Sequence, residues 1–324
     1  MSTNADYSHQ VLVSIRCLVY NHGPYLRQCL EGFVMQQTNF RFEAIVHDDA
    51  STDNSAEIIR EYAEKYPDII KPIFESENQY SKHDGSLARV TFCACTGKYI
   101  AQCEGDDYWI DPHKLQKQID YLESHPDCIL CFTNAFMHWE DGSGRPDTLF
   151  APNLEERDYR GPELAANWIT PTASFVYRRS VRELDYFQQV INHPKLRIVG
   201  DIPVVLACAH LGKVHALSDV TCVYRRQPNG WMLSSDSTQK IAHGDYRYAL
   251  FRVFGKEFLD SSVNKAIYHY RLGACYAKNE HNWNNYFKSV FRIFLVYLSH
   301  PICSMKRLYL VFKERKERLT SHVD

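Results

Sequence analysis

Short apolar runs alternate with segments of helical spacing over about the first 105 residues, and this alternation restricts the fold more than any other feature. We interpret four apolar runs as buried strands, at residues 11–20, 42–46, 69–74 and 99–103. Between them lie segments whose apolar residues are three and four positions apart, as on one face of a helix, at residues 25–36, 56–66 and 87–95. A strand–helix order of this kind predicts a mostly parallel α/β sheet flanked by helices.

Polar clusters follow three of these strands at the point where each strand ends. The first, second and fourth strands end, respectively, at Tyr20-Asn21, Asp48-Asp49 and Glu104–Asp107. The carboxyl ends of parallel strands meet at one edge of a sheet, and ligands bind in the crevice beyond that edge. We therefore expect the three clusters to share one crevice.

The turn after the fourth strand, Glu104-Gly105-Asp106-Asp107, carries three carboxylates within four residues. Such a group is costly if it is buried without partners. A hard divalent cation takes oxygen ligands and would relieve the repulsion. We interpret Glu104, Asp106 and Asp107 as candidate ligands of Mg²⁺ or Mn²⁺ that would hold a phosphorylated ligand. The alternative is a solvated acidic turn, which is common in proteins.

Two familiar phosphate-binding loops are missing from the sequence. No Gly-x-Gly-x-x-Gly follows the first strand, and no Gly-x4-Gly-Lys-Ser/Thr is present. A dinucleotide-binding fold and a P-loop NTPase are therefore disfavoured. A diphosphate at this edge would need another source of positive charge, which a metal ion supplies.

The sequence contains four characteristic segments, at residues 13–21, 48–55, 96–100 and 104–107, and together they resemble the family 2 glycosyltransferases of the GT-A fold. Val13–Asn21 resembles the opening strand of that family, and Asp48–Ser55 resembles its Asp-Asp-Gly-Ser-Thr-Asp-Asn-Ser signature. Thr96–Ile100 and Glu104–Asp107 resemble its Gly-Glu-Tyr-Ile strand and its Asp-x-Asp motif. The order and spacing agree as well.

The resemblance is close over residues 11–112 and looser to about 235. It implies a GT-A catalytic domain over 1–235, with a nucleotide-sugar half at about 1–112 and an acceptor half at about 113–235. The pattern changes to helices from Ser237 onward, so we predict a C-terminal helical region over 236–324.

The resemblance also implies roles for the strand-end residues. Asp49 would accept a hydrogen bond from N3–H of a uracil-like base, with Asp48 beside it. The nucleotide pocket would be lined by Leu18, Tyr20 and Asn21. Asp106 and Asp107 would contact the ribose and the metal that bridges the diphosphate. Glu104 replaces the first Asp of the family pattern, which leaves open which carboxylate binds the metal directly.

Asp201 is the candidate general base. Gly200-Asp201 begins a predicted helix that runs to about His210, at a position that resembles the family's Glu-Asp motif. Inversion at a sugar needs a carboxylate that takes the proton of the acceptor hydroxyl. The alternative for Asp201 is a plain helix cap, favoured by the helix dipole. Thr170 begins a predicted strand, Thr170–Tyr177, that resembles the lining of the acceptor pocket, and we predict two further strands at residues 212–217 and 220–224.

Three arginines and one tryptophan are further candidates. Guanidinium forks fit phosphate oxygens, so we consider phosphate contacts for Arg89, Arg225 and Arg226, with a solvated surface as the alternative. Trp231 is a candidate for stacking on a sugar or, equally, for a place in the core.

The C-terminal stretch is basic and aromatic. Residues 306–318 hold six Lys or Arg and two Glu. A basic amphipathic end of this kind is suited to an anionic membrane surface, with aromatic contacts from Phe291, Phe294, Tyr297, Tyr309 and Phe312. The alternative is a helical bundle packed on the catalytic domain or on a partner.

Composition excludes some classes of partner. The net charge is −2, which gives no general attraction for nucleic acid.

The odd number of cysteines, 11, and the polar start Met1–Gln10 favour a cytoplasmic protein with reduced thiols and without a signal peptide. We expect that protein to be soluble or peripheral at the inner face of the membrane.

We therefore predict a metal-dependent, inverting glycosyltransferase that uses a nucleotide sugar. Among nucleotide sugars, we predict a UDP-linked donor. The acceptor would be a hydroxyl of a saccharide or of a lipid-linked saccharide, in polysaccharide or glycolipid assembly, and a homodimer is expected. Two alternatives stay open. One is a nucleotidyltransferase that makes nucleotide sugars, and the other is a carbohydrate-binding pseudoenzyme.

Overall fold

The computed structural model describes residues 10–82, 84–196, 200–227 and 236–301. The chain divides into two compact units. The first unit comprises Met1–Arg160, Trp168–Gln189 and Ala207–Pro228, and the second comprises Gly161–Asn167, Val190–Leu206 and Asn229–Asp324. The predicted boundary between a catalytic domain and a helical region at residue 235 remains a prediction.

The first unit is built on one mixed sheet. Its described strands are β1 (Val11–Val19), β2 (Arg41–Asp48), β3 (Ile70–Phe74), β4 (Tyr99–Gln102), β5 (Tyr108–Trp109), β6 (Cys128–Trp139), β7 (Thr148–Leu149), β8 (Asp158–Tyr159), β9 (Val176–Arg178) and β10 (Lys213–Arg226). The strand order is β3-β2-β1-β4-β9-β6-β10-β5, with β7 beside β6 and β8 beside β10. The strand pairs β1–β2, β2–β3, β1–β4 and β6–β10 are parallel, whereas β9 runs antiparallel to both β4 and β6. The predicted mostly parallel α/β sheet is confirmed.

Helices follow the strands in the predicted alternation. The first seven described α-helices are α1 (Gly23–Val34), α2 (Ser55–Lys65), α3 (Ser86–Ala94), α4 (Lys114–Ser124), α5 (Gly161–Ala166), α6 (Asp185–Ile191) and α7 (Asp201–Leu211). In α1, Leu26, Leu30 and Phe33 are fully buried and belong to the core of the first unit. Their spacing of four and three residues places them on one face of the helix. Pro24 lies in the first turn, where its missing N–H removes no helical hydrogen bond.

Two predicted strand boundaries were wrong. The predicted pair 212–217 and 220–224 is a single strand, β10, whose register with β6 is irregular between Ala216 and Val220. The strand predicted from Thr170 is shorter, because Thr172–Ser174 forms a 3₁₀ turn and β9 begins only at Val176. Pro171 has no N–H for a strand ladder, which is consistent with the later start.

The second unit contains the helices α8 (Ser237–Phe254), α9 (Leu259–Asn279) and α10 (Trp283–Ser299). They share a small apolar core, formed by Ile241, Val263, Ala266, Ile267, Tyr270 and Val296. The predicted C-terminal helices are thus confirmed as far as residue 301, and the rest of the predicted helical region, 302–324, lies outside the described residues. Among the helices that the structure describes, none combines the length and the apolar character needed to cross a membrane.

The aromatic residues proposed for a membrane surface differ in exposure. Phe291 and Phe294 are exposed on α10, whereas Tyr297 packs against the core of the second unit. Tyr309 and Phe312 fall in the part of the chain that the structure does not describe.

A buried carboxylate fixes the start of β4 beside β1. Glu43 Oε1 accepts hydrogen bonds from Ser14 Oγ at 2.7 Å, Thr96 Oγ1 at 2.7 Å and Thr96 N at 3.0 Å. Gly97 N in turn donates to Ser14 Oγ at 2.8 Å. A β-carbon on Gly97 would lie only 2.6 Å from Ser14 N and 2.8 Å from Val13 C. The loop can approach β1 this closely only because Gly97 has no side chain.

Gly97→Ala should therefore destabilise the protein by about 2–3 kcal/mol, because the added methyl group meets backbone rather than a side chain that can rotate away. Urea unfolding measures the change. Gly200→Ala is the control, because its β-carbon would meet nothing within 4 Å, and it should change stability by less than about 0.5 kcal/mol. Equal effects of the two substitutions would contradict the close approach at Gly97.

Candidate active site

The end of β1 holds the turns that follow β2 and β4. Asp49 N donates to Val19 O at 2.9 Å, and Gly105 N donates to Leu18 O at 2.9 Å. Because β1 pairs with β2 on one side and with β4 on the other, the two acidic turns flank the end of one strand. The predicted convergence of three strand ends is therefore present in the structure. Tyr20 and Asn21 are exposed at this end, and Leu18 is half-buried.

Gly105 allows the turn after β4 to close against β1. A β-carbon at this position would lie 2.9 Å from both His22 Nδ1 and Val19 Cγ2. Contacts of this kind are shorter than side chains tolerate, so the acidic turn needs glycine here. The sequence Glu-Gly-Asp-Asp is thus constrained by packing as well as by charge.

Asp107 is a buried carboxylate among other carboxylates. Its Oδ1 accepts a hydrogen bond from Arg225 N at 2.9 Å. Burial raises the pKa of Asp107 well above its ordinary value, and the nearby charges of Asp106 and Glu104 raise it further. The turn therefore concentrates negative charge in a place that water screens poorly.

Asp106 and Glu104 are more accessible than Asp107; both are half-buried. Asp106 Oδ2 accepts a hydrogen bond from Gln227 Nε2 at 2.9 Å. The three predicted carboxylates thus differ in environment. Asp107 is sequestered, whereas Asp106 and Glu104 retain access to solvent.

The carboxylates of the turn after β4 could hold a divalent cation whose coordination is completed by a ligand. No group of three or more His, Cys, Asp or Glu arranged to hold a metal occurs among the described residues. Mg²⁺ is commonly bound by one or two carboxylates together with substrate phosphates. Burial and, after it, the charges of Asp106 and Glu104 raise the pKa of Asp107, and a bound cation would favour the charged carboxylate. A site completed by phosphate oxygens therefore fits these residues, whereas a site made of protein ligands alone does not.

Asp49 organises the loop after β3. Its Oδ1 accepts from Gln79 N at 2.6 Å, and its Oδ2 accepts from Tyr80 N at 3.0 Å. Asn78 Nδ2 also donates to Asp49 O at 3.2 Å. Each carboxylate oxygen has a second lone pair, so Asp49 retains one acceptor site on each oxygen.

Asp48 and Asn21 complete the turn beside Asp49. Within the described residues, Asp48 Oδ1 is buried without a hydrogen-bond partner, and burial raises the pKa of Asp48. Asn21 Oδ1 accepts from Thr52 N at 2.7 Å. Asn21 and Ala50 have φ angles of 56° and 61°, in a region that costs an alanine about 1 kcal/mol. The resembling family signature has glycine where this chain has Ala50.

Arg225 is committed to the protein itself. Its guanidinium is hydrogen-bonded to Glu140 and to Gln28. It also lies over the rings of Tyr108, at 4.5 Å, and Tyr25, at 5.2 Å. Arg225 therefore joins β10 to α1 and β6, and its backbone N–H holds Asp107.

Arg226 differs from its neighbour because successive residues of a strand point to opposite faces. Its guanidinium lies 5.5 Å from the ring of Trp139, and among the described residues its buried Nε has no hydrogen-bond partner. Arg225 Nε likewise has no partner among these residues, but the other two nitrogens of Arg225 are held by Glu140 and Gln28, so the guanidinium of Arg226 is the less engaged of the two. Trp231 lies outside the described residues.

Two other predicted contacts, Arg89 and Thr170, lie in different settings. Arg89 has a side chain that is 66% exposed, donates to Asp84 O at 3.0 Å and lies 3.9 Å from the Asp84 carboxylate. This is the solvated helix surface named as its alternative. Thr170 is fully buried, and its Oγ1 has no hydrogen-bond partner among the described residues.

Asp201 begins α7 and belongs to the second unit. Its Oδ1 accepts from Ile202 N at 2.7 Å, and the residue is half-buried. Burial raises the pKa of the neighbouring Tyr246, and the negative charge of Asp201 contributes to that rise. The carboxylate thus lies in the first turn of α7, where the sequence predicts the helix to begin, and is close to a buried tyrosine.

Sequence reasoning missed Gln227, Gln79 and Tyr80. Gln227 contacts Asp106, and the backbone of the other two contacts Asp49. A glutamine after a basic strand end and a loop after an ordinary strand carry no motif. No sequence signal would have identified them, because their roles depend on partners far away in the chain.

Comparison with known proteins gives a family and a set of relatives. The family model described as Glycosyl transferase family 2 matches residues 14–184, more than half of the chain. An uncharacterized protein of Mycobacterium tuberculosis, Rv1520, is 37% identical over 227 residues, which are 67% of this chain and 60% of that protein. The match therefore spans less than two thirds of the mycobacterial relative. An uncharacterized glycosyltransferase of Nostoc sp., alr2836, is 28% identical over 241 residues, 70% of this chain and 69% of that protein.

A solved structure shares the fold. The crystal structure of Staphylococcus aureus TarS, residues 1–349, in complex with UDP-GlcNAc superposes with a TM-score of 0.57 at 16% identity. The superposition covers 86% of this chain and 90% of the other. At this identity the likeness concerns the fold.

Replacing the buried charge at Asp107 should stabilise the protein. The raised pKa means that the folded chain keeps a proton that the unfolded chain releases above about pH 4. Stability is therefore lost as the pH rises from the ordinary pKa to the raised one. At pH 7 without metal, Asp107→Asn should raise the free energy of unfolding by about 1–3 kcal/mol and flatten its pH dependence.

Urea unfolding between pH 4 and pH 8 tests this expectation. Asp68→Asn is the control, since Asp68 is exposed, and it should change stability by less than about 0.5 kcal/mol. A variant at Asp107 that is less stable than the wild type at pH 7 would show that the carboxylate is favourably bound rather than strained.

Proposed function

Since this chain belongs to Glycosyl transferase family 2, we propose that it is a metal-dependent, inverting glycosyltransferase. It would move a sugar from a nucleotide-sugar donor to a hydroxyl of a saccharide or of a lipid-linked saccharide, in polysaccharide or glycolipid assembly. The observation that carries the proposal is the pair of acidic turns at the end of β1. One turn holds the sequestered carboxylate of Asp107, and the other holds Asp49.

Asp106 and Asp107 would hold Mn²⁺ or Mg²⁺, with Glu104 adding negative charge nearby. The ion, when bound, would neutralise the donor diphosphate and so stabilise the leaving group. Asp106 is half-buried and faces both solvent and Gln227, which makes it accessible to the ribose as well. The Nε of Arg226 is the protein donor that we assign to phosphate, and Arg225 keeps Asp107 in position.

Asp49 would read the base. It is anchored by two backbone N–H groups, so its remaining lone pairs point in a fixed direction, and an N3–H donor of uracil would match them. Asp48 Oδ1 offers a second acceptor in the same turn, and Tyr20 and Asn21 would line the pocket. TarS, which has the same fold, was crystallised with UDP-GlcNAc, so UDP-linked donors are the first to test.

Asp201 would act as general base. The acceptor oxygen attacks the anomeric carbon while the bond between that carbon and the diphosphate oxygen breaks. The proton of the acceptor hydroxyl passes to Asp201. The helix dipole at the start of α7 favours the charged carboxylate that this step needs. A single displacement of this kind inverts the anomeric centre.

The cellular setting remains part of the proposal. The described cysteines are free thiols, as expected for a cytoplasmic protein that uses cytoplasmic nucleotide sugars. The predicted homodimer stays a prediction.

Release of free UDP from a panel of UDP-sugars, with Mn²⁺ and candidate acceptors, tests the proposal. Asp201→Asn should lower the transfer rate by about 10²–10⁴-fold, which is the usual contribution of a general base. Its affinity for UDP should stay within about threefold, since the base does not bind the nucleotide.

Asp185→Asn is the matched control, because Asp185 also begins a helix, α6, and is exposed. It removes a comparable charge from a helix start and should leave the transfer rate within about twofold. Transfer that survives in Asp201→Asn would reject Asp201 as the base. Formation of a nucleotide sugar with release of pyrophosphate would instead identify a nucleotidyltransferase, and nucleotide binding without turnover would indicate a pseudoenzyme.

A further inference from the structure

One face of α10 exposes a continuous row of large apolar side chains. We call it the apolar row, and it consists of Trp283, Phe287, Val290, Phe291, Phe294 and Leu298. Each of these side chains is between 43% and 68% exposed. Their spacing of three and four residues puts them on one side of the helix, over a length of about 22 Å.

The apolar row is not the face by which α10 packs in the second unit. Asn285, Ser289 and Val296 are buried, and Ile293 and Tyr297 pack against the helical core. The helix therefore has one apolar side within its unit and another that no described residue of that unit covers. An exposed apolar patch of this extent marks an interaction surface.

Charge around the apolar row points to the kind of surface it contacts. The helix α10 has two charged residues, both basic, and no acidic one. Arg292 is paired with Asp245 at 3.1 Å, whereas Lys288 is exposed. The sequence continues in the same way, so residues 283–318 hold eight Lys or Arg and two Glu. The whole chain nevertheless has a net charge of −2, so positive charge is concentrated in this part of the sequence.

We propose that the apolar row is a docking surface for an anionic lipid bilayer. Phenylalanine and leucine enter the boundary between headgroups and acyl chains, tryptophan favours that boundary, and lysine or arginine contacts anionic headgroups. A second copy of the chain fits the row less well, because it would bring two positively charged segments together. The surface is independent of the proposed transfer reaction, since none of its residues belongs to the candidate active site.

Sedimentation of the full chain with lipid vesicles tests the proposal. The chain should bind vesicles that contain about 30% phosphatidylglycerol at least about tenfold more tightly than vesicles of phosphatidylcholine alone. Raising NaCl to about 0.5 M should weaken the binding, because salt screens the headgroup charge. Equal binding to both kinds of vesicle, or binding to neither, would overturn the proposal.

Two sets of substitutions locate the surface. Combining Phe287→Ser, Phe291→Ser and Phe294→Ser should weaken binding to the anionic vesicles at least about tenfold. The control combines Leu184→Ser, Tyr268→Ser and Tyr276→Ser, which remove exposed apolar side chains elsewhere, and its binding should stay within about twofold. Circular dichroism confirms that both variants are folded. Unchanged vesicle binding by the first variant would overturn the proposal, and a wild-type dimer that the first variant cannot form would assign the row to a protein contact instead.

Discussion

Two backbone hydrogen bonds at the end of β1 hold together the two acidic turns of the candidate active site. Val19 O binds the amide of Asp49, and Leu18 O binds the amide of Gly105. Each bond continues a strand pairing by one step beyond the regular sheet, so each brings an acidic turn against the same strand end. Glycine at position 105 is what permits the second contact, because a side chain there would collide with His22 and Val19. The Glu43 network acts at the other end of β4 and fixes the strand that carries Gly105.

The site is assembled at a cost in stability. Asp107 is buried beside Asp106 and Glu104 and receives one backbone hydrogen bond, which is less than a buried carboxylate needs for full compensation. The buried oxygen of Asp48, without a partner among the described residues, is a second local cost. Under the proposed function, a cation would offset the charge of Asp107, and a donor on the nucleotide base would pair with Asp48. A site that is destabilising when empty and satisfied when occupied can therefore couple folding stability to ligand binding.

Local patterns in the sequence were sufficient to predict the alternating elements, the acidic turns and the start of α7. Each depends on neighbouring residues, such as an apolar run that ends in Gly and Asp. The hydrogen-bond partners of individual side chains were not predictable from local patterns. Arg225 was a candidate for phosphate, but its guanidinium is held by Gln28 and Glu140, which are 197 and 85 positions away in the chain. The short β9 and the continuous β10 were missed for the same reason, because pairing with β4 and β6 sets their limits.

The central claim is that the acidic turn holds a cation together with a nucleotide diphosphate. Equilibrium dialysis at a fixed concentration of free Mn²⁺, with and without UDP, measures this directly. Two carboxylates alone should bind Mn²⁺ weakly, and UDP should increase the protein-bound metal at least about tenfold, because phosphate oxygens complete the coordination. The increase should disappear in Asp106→Asn/Asp107→Asn. Equal binding of Mn²⁺ with and without UDP, or an increase that persists in this double variant, would contradict the account.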